Sequence, residues 1–587
     1  MIKESYTEKF YSYHSKYINN ALALRPPQHE SLEIFARLCD TLSLRKNPTT
    51  VQQISEAHQA ELGTCETDEK RQKRISELAS QAAEEFYRED LAAVRHLCPT
   101  LTSFERDFPS VCFSLATGIG KTRLMGACIA YLHYEKGIKN FFVMAPNLTI
   151  YNKLKDDLGN TSNPKYVFRG LDRFVSPPRI IDGDNYADFR QTAFGVNDVV
   201  INVFNISKLN SDSKVKDGAP ARIKRLNEVL GESYFSYLQS LSDLCIFMDE
   251  SHHYHADKSF EVINELRPIL GVELTATPQI QKGAKKVDFK NVVYEYSLAH
   301  ALNDGQYVKV PAVITRKDFR AEEYTPEQLD KEKLNDGVRI HEDTKSQLEI
   351  YARTYGKPLV KPFVLVVAKD TEHSRQIREY LTSDEFFRGY YKDKVLEINS
   401  AQRGAEKDEN ITQLLSLEKP ENKIEIVVHV NMLKEGWDVT NLYTIIPLRA
   451  SASETLTEQT IGRGLRLPYG LRTGIEEVDR LSIVSHDKYA AIVNLANDPN
   501  SLVRKVYYID DVSPDTEEPR EAVELTPAYD SITSDASFTE QLAMSFMQET
   551  PASYSSGEAK TQEQALEVAK FVARFTSKSV MELNKQV

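Results

Sequence analysis

Val111 to Thr122 reads VCFSLATGIGKT, and the reading of these twelve residues decides the fold. The apolar run ending at Leu115 predicts a short buried strand, and Ala116–Gly120 is small and glycine-bearing, as a tight turn requires. Lys121 and Thr122 follow, and RLMGACIAYLHY then carries apolar residues at helical spacing. Strand, glycine turn, Gly-Lys-Thr and helix are together the setting of a phosphate-binding loop. Backbone N–H groups at a helix start point at one spot, and the helix dipole there favours anions. On this reading Thr117, Gly118, Ile119 and Gly120 cradle a phosphate chain, Lys121 adds a point charge, and the Thr122 hydroxyl ligates Mg²⁺. Leu115 stands where the general loop pattern has its first glycine.

The rest of the composition is that of a multidomain globular chain. At 587 residues it exceeds a single core, and 41% hydrophobic with 27% charged residues is ordinary for such chains. No apolar run approaches the ~20 residues that cross a bilayer, and MIKESYTEKFYSYHSKY lacks a signal-peptide core. Cys39, Cys65, Cys98, Cys112, Cys128 and Cys245 show no paired spacing, which argues against zinc or disulfides and fits a cytoplasmic location. The net charge of −13 is concentrated near the end: Asp510 to Lys560 holds twelve acids against Arg520 and Lys560. The remainder is close to neutral and leaves room for a basic groove.

Taken in order, residues 1–100 predict a helical arm. Arg25-Pro26-Pro27 opens a helix, Gln28 sits at its start, and Pro48–Leu97 reads as one or two amphipathic helices. Residues 101–310 alternate strands (Val111–Leu115, Asn140–Ala145, Asp198–Val203, Leu244–Asp249, Gly271–Thr275) with helices, which predicts a parallel sheet. The stretch from Asn160 to Gln191 and the basic KVKDGAPARIKRLNE read as insertions. Residues 311–505 begin with a mixed segment and then repeat the alternating pattern without a second glycine loop. Two matched α/β units with one loop suggest a nucleotide held in the cleft between them. Residues 506–587 form an acidic tail, expected to be partly disordered.

Four further stretches carry chemistry. CIFMDESHHYH (Cys245–His255) ends a strand in an acid pair, read as Asp249 for Mg²⁺ and Glu250 as general base. The nearby histidines lack a completing cysteine or carboxylate cluster, and His252 reads as a coupling residue to neighbouring loops. In LTATPQ (Leu274–Gln279), Thr275 and Thr277 can hydrogen-bond the acid loop. In HVNMLKEGWDVTNL (His429–Leu442), Gly436 permits close backbone approach, and Asp438 accepts from a ribose or from a later arginine. In ASETLTEQTIGRGLRLP, Gln459, Arg463 and Arg466 are spaced four and three apart, which predicts one helix face with two arginines able to reach a γ-phosphate.

These motifs, in this order, resemble a superfamily 2 DEAD/DEAH-like helicase ATPase of two RecA-like domains, and more closely the Res subunit of type III restriction–modification enzymes. The carrying blocks are LATGIGKT, VMAPNLTI, MDESHHYH, LTATP, MLKEGWDVTNLYTIIPLRAS and ETLTEQTIGRGLRLPYGLRTGIEEVD, with IVSHDKYAAIV behind them. Helicase-type loops often lack the first glycine. The resemblance implies an α/β fold of phosphate-loop NTPase type, with ATP and Mg²⁺ as cofactors. It also implies that Gln28, in a segment near 24–40, reads adenine; that Asn147 lies near a nucleic-acid backbone; that Gln459, Gly436 and Asp438 touch the nucleotide; and that Arg463 and Arg466 are arginine fingers. Its implied partners are double-stranded DNA and a Mod-type methyltransferase, with no membrane. Family members carry a C-terminal endonuclease domain. Here Pro514-Asp515 and Glu558-Ala559-Lys560 match its letters only, so no nuclease site is expected and the chain reads as a truncated or split Res protein. The expected activity is ATP-dependent DNA translocation. The competing readings are an ATP-dependent DNA-binding switch that recruits partners, and a stand-alone helicase acting on other nucleic acid.

Overall fold

Six buried residues, Ser110–Leu115, form β1 at the position that the apolar run predicts. The computed structural model describes residues 13–65, 67–182, 185, 199–205, 232–255, 263–282, 285–316, 319–398, 413–414, 416–419, 421–430, 439–448, 461–486 and 505–509. Gly436, Asp438, Gln459, the basic insertion and residues 510–587 of the acidic tail lie outside the described residues, while the first residues of that tail form a strand.

Around β1 the first lobe adds β2 (Asn140–Ala145), β3 (Arg179–Ile181), β4 (Val200–Asn205), β5 (Leu244–Asp249), β6 (Leu270–Thr275), a hairpin of β7 (Gln279–Lys282) and β8 (Lys285–Asp288), and β9 (Val292–Tyr296). Its seven-stranded sheet runs β3-β4-β2-β5-β6-β1-β9, and every neighbouring pair is parallel. Parallel pairing brings the strands' carboxyl ends to one edge, where ligands of open α/β sheets bind. The glycine loop, Asn147, the acid pair and Thr275 all follow those ends. The segment read as an insertion from Asn160 supplies the edge strand β3, whose three residues are too short to show a period in sequence.

The second lobe repeats the plan with β10 (Val310–Arg316), β11 (Phe363–Val367), β12 (Val395–Ile398), β13 (Ile426–His429), β14 (Leu442–Pro447), β15 (Arg480–Val484) and β16 (Lys505–Ile509). The order is β12-β13-β11-β14-β15-β10-β16, again all parallel. The two sheets are the paired RecA-like domains that the motifs imply.

Helices α1 (Tyr13–Leu22) and α2 (Pro26–Thr41) are followed by α3 (Val51–Ala57), α4 (Gln59–Leu62), α5 (Asp68–Phe86) and α6 (Arg88–Leu97). Four short helices thus replace the expected one or two. Ile54, Leu62, Ile75 and Leu78 close a small core of their own, whereas Ile18, Leu22, Leu32 and Phe35 join the main core. That main core contains α7 (Lys121–Lys136), buried on nearly all sides, and lies beside α8 (Leu148–Gly159), α9 (Glu232–Ser240) and α10 (Leu298–Asp304).

In the second lobe, side-chain alternation splits β11. Phe363, Leu365 and Val367 join the core shared with the first lobe, while Val364 and Val366 face a second core. That second core includes Leu334 and Val338 of the 30-residue helix α11 (Pro326–Tyr355) and Ile377 of α12 (Thr371–Leu381). Charged residues dilute the apolar stripe of α11, which hides it in the sequence. Thr325 caps it by accepting from the Gln328 N–H, and Pro326 occupies its first position.

Gly337 lets α11 lie against β14. A Cβ there would fall 2.2 Å from Ile446 Cδ1. Gly337→Val is expected to destabilise the protein by about 1–3 kcal/mol through overpacking. Urea unfolding checks this; an unchanged midpoint would mean that the helix is not seated as described.

Candidate functional site

The glycine loop forms its turn with two left-handed residues, Gly118 (φ 88°) and Gly120 (φ 101°). A left-handed backbone disfavours any side chain, and a Cβ at Gly120 would also sit 2.5 Å from Gln28 Nε2. Gln28 is buried, and its amide is used twice over on main chain. Nε2 donates to the Ile119 carbonyl (3.0 Å) and the Gly120 carbonyl (2.9 Å), while Oε1 accepts from the Arg25 N–H (2.9 Å). In a trans peptide the N–H points opposite to the C=O. Gln28 therefore turns the Gly120 and Lys121 N–H groups away from α2.

Facing the loop, β5 ends in Asp249, and Glu250 follows with a left-handed backbone (φ 50°), a strained conformation for a residue with a side chain. Glu250 Oε1 lies 3.0 Å from Lys121 Nζ. Asp249 is buried, and among the described residues its Oδ1 has no hydrogen-bond partner. Burial, then the neighbouring Glu250 charge, push the Asp249 carboxyl up to about 6 against the pull of Lys121 and Lys153. An orphaned carboxylate oxygen beside a lysine-bearing loop suits a cation. Asp249 and Thr122 line one cavity and are the residues that would hold a divalent cation there.

That cavity has a volume of about 350 Å³. Besides the loop and the acid pair, Arg25, Lys153, Lys165, Thr440 and Arg466 line it, so both lobes contribute. Arg466 Cγ is 3.4 Å from where a Gly118 Cβ would stand, and a Cβ at Gly462 would stand 3.6 Å from Thr117 Oγ1. The expected single helix face does not extend to Arg466. The helix is described to Gly464, and Arg466 pairs in an antiparallel bridge with Val308. The reason is a competing main-chain bond, from the Lys309 N–H to the Leu465 carbonyl at 2.7 Å, which draws the chain out of the helix. Arg463 is half-buried on the helix itself, and of the two arginines only Arg466 lines the cavity.

Lys309 ties that segment to Thr440. Its buried Nζ donates to the Thr440 carbonyl (2.8 Å) and the Leu442 carbonyl (2.7 Å), 3.9 Å from the Tyr443 ring centroid. Burial holds this amine well below the usual lysine range.

The acid loop is fastened to β6 at two points. His252 Nδ1 lies 3.1 Å from Thr275 Oγ1, and His255 Nε2 lies 3.2 Å from Glu273 Oε2. Glu273 is fully buried and also accepts from Arg106 Nε (3.2 Å), Ser110 Oγ (2.9 Å) and Asn291 Nδ2 (3.2 Å). Burial alone would raise its carboxyl; Arg106, then His255 and Ser110, outweigh it and hold the group at about 2. Arg106 also donates to the Tyr254 carbonyl (3.3 Å). Asn147 caps α8 by accepting from the Ile150 N–H.

Arg25, Lys153, Lys165, Lys309 and the Glu273 cluster escape a reading by motif. The one local signal is Arg25, which directly precedes the Pro-Pro-Gln that opens α2. Arg106 and Glu273 are far apart in sequence and have no periodic mark.

Known proteins compare as follows. Residues 67–280 match the family model described as type III restriction enzyme, Res subunit. The HindVIP Res subunit of Haemophilus influenzae is 23% identical over 442 residues, covering 59% of this chain and 80% of that protein. The EcoPI Res subunit of Escherichia phage P1 is 30% identical over 150 residues, 19% of this chain and only 15% of the relative. Among solved structures, the ATP-dependent type ISP restriction–modification enzyme LlaBIII bound to DNA aligns with a TM-score of 0.40 and 16% identity, over 67% of this chain and 28% of that one. The DEAD-box helicase Mss116 bound to ssRNA and UDP-BeF aligns with a TM-score of 0.39 and 13% identity, over 91% and 90%. Fold and site together define an α/β protein of two RecA-like lobes with a glycine loop of phosphate-binding form at the cavity between them. Similarity to Res subunits of type III restriction enzymes covers residues 67–280 in the family model and 59% of the chain in the Haemophilus influenzae relative. No described helix is long and apolar enough to cross a membrane.

The Asp249 shift has a definite sign. An unfolded Asp ionises near 3.8, so a folded value of about 6 favours the fold at low pH. That contribution is lost as pH rises from about 4 through about 6. Asp249→Asn is therefore expected to stabilise the ligand-free protein at pH 8, on the order of 1–3 kcal/mol, and to change little at pH 4. Urea unfolding at the two pH values checks this; equal differences at both would remove the buried-charge account.

Proposed function

We propose that this chain binds ATP with Mg²⁺ in the cavity between the lobes and hydrolyses it to ADP and phosphate. Hydrolysis drives movement along double-stranded DNA as the motor of a type III restriction–modification system, with a Mod-type methyltransferase supplying sequence recognition. The observation that carries this reading is a convergence. Lys121, Thr122, Asp249 and Glu250 of one lobe and Arg466 of the other line a single cavity.

On this reading each residue has one task. The turned N–H groups of Gly120 and Lys121 receive phosphate oxygens. Lys121, now resting on Glu250, moves to the phosphates and frees that carboxylate. Glu250 orients the attacking water and takes its proton. Arg466 neutralises charge on the γ-phosphoryl group as the lobes close, and Arg463, outside the cavity here, joins it only if closure turns it inward. Asp249 and Thr122 would hold Mg²⁺, which when bound would supply further positive charge at the phosphates. Adenine recognition by Gln28 requires its amide to give up a bond to the loop or to the Arg25 N–H.

Lys121→Ala is expected to abolish duplex-stimulated ATP hydrolysis. Glu250→Gln should keep nucleotide binding and lose about 10²–10⁴-fold in turnover. Arg466→Ala should lose about 10³–10⁵-fold. Steady-state phosphate release, with and without duplex DNA, measures all three. A Lys121→Ala protein that hydrolyses ATP at the wild-type rate would end the proposal, and a triplex displaced in proportion to ATP consumed distinguishes a motor from a switch.

A further inference from the structure

We propose that Arg25 is a positioning residue that couples closure of the two lobes to the shape of the phosphate loop. The inference rests on the nucleotide reading above and adds a device to it.

Arg25 is the N-cap of α2, held with an extended backbone (φ −68°, ψ 153°) ahead of Pro26. Its guanidinium reaches in two directions. Nη1 donates to the Gly118 carbonyl (2.7 Å) and the Ile119 carbonyl (3.4 Å) of the loop. Nη2 donates to the Gly470 carbonyl (2.9 Å) of the second lobe, just beyond the Arg463–Arg466 segment. The group lies 5.1 Å from the ring centroid of Tyr307, which leads from the first lobe into β10. It also lines the cavity.

Three features make this a fastener. Its hydrogen-bond acceptors among the described residues are main-chain carbonyls, so it reads backbone position and not a partner's charge. Two of those carbonyls belong to left-handed glycines, Gly118 (φ 88°) and Gly470 (φ 82°), a conformation other residues rarely adopt. The planar fork also sets a fixed spacing between the two, which a lysine, with one nitrogen, cannot reproduce.

Separating the lobes withdraws Gly470 and leaves the guanidinium bound to the loop alone. Shifting the loop withdraws Gly118 and weakens the hold on Gly470. Each arrangement therefore favours the other. A ligand that binds the ordered loop draws the lobes together, and a ligand that draws the lobes together tightens the loop. Such coupling is reciprocal and commonly amounts to about 5–150-fold in affinity.

The test measures the affinity of the intact protein for a fluorescent mant-labelled ATPγS, with and without saturating duplex DNA, in wild type, Arg25→Lys and Arg25→Met. Thermal unfolding is followed alongside. The wild type is expected to bind nucleotide at least about 5-fold more tightly with DNA present. In both variants that ratio falls to near one, while the melting temperature of Arg25→Lys stays at the wild-type value. A merely structural arginine would weaken binding equally with and without DNA and would preserve the ratio. Should Arg25→Met fail to fold, Arg25→Lys carries the test, since it keeps charge and stem. A variant that retains the wild-type ratio, or a wild type whose nucleotide affinity ignores DNA, overturns the coupling and leaves nucleotide binding standing. A wild type that binds no nucleotide overturns the functional reading itself, and the coupling with it.

Discussion

The carbonyls of Gly118, Ile119 and Gly120 are held from behind, by the Gln28 amide and the Arg25 guanidinium, and the site depends on that grip. A glycine loop is permissive by nature, and its peptides can turn either way at little cost. Anion binding needs them turned one way, with N–H groups outward. Gln28, buried at the start of α2, and the half-buried Arg25 before it remove the alternative before any ligand arrives. The helical arm is thus part of the loop's own wall, and α1 and α2 share the core that surrounds α7.

The cavity exists because two similar sheets share one apolar seam. Alternation along β11 places one set of side chains in the first lobe's core and the other under α11. Val308 pairs with Arg466 at this seam, and the Lys309 N–H bonds the Leu465 carbonyl. Arginine position is therefore set by strand-like pairing and not by helix periodicity. The buried Lys309 amine, bonded to the Thr440 and Leu442 carbonyls, joins the same segment to another part of the cavity wall.

Behind the acid pair lies a second layer of constraint. Glu250 has a left-handed backbone that costs free energy, and such strain persists only where the surroundings over-determine it. His252 on Thr275, His255 on Glu273 and Arg106 on both Glu273 and the Tyr254 carbonyl supply that surrounding. A buried ion pair adds little net stability on average, but removing one partner leaves an uncompensated charge. Its effect here is geometric: the turn after β5 and the strand before Thr277 hold one another in place.

Much of this was legible in the chain itself. Short apolar runs bounded by turn residues located β1, β2, β5 and β6 to within a residue, because a parallel strand buried on both faces is a nearly continuous apolar run. The glycine loop and the acid pair were equally plain, since chemistry there demands particular residue types at fixed spacing. Local pattern could not show β3, β16 or α11, whose ends and faces are defined by what they pack against. Nor could it show that Arg466 leaves the helix, that Gln28 is engaged with the loop, or that Arg25 spans both lobes. Sequence alone determined the buried central strands and placed the glycine loop and the acid pair at their ends. Only the tertiary structure decided which distant carbonyls and charges surround them, because hydrogen bonds between residues hundreds of positions apart leave no period in the chain.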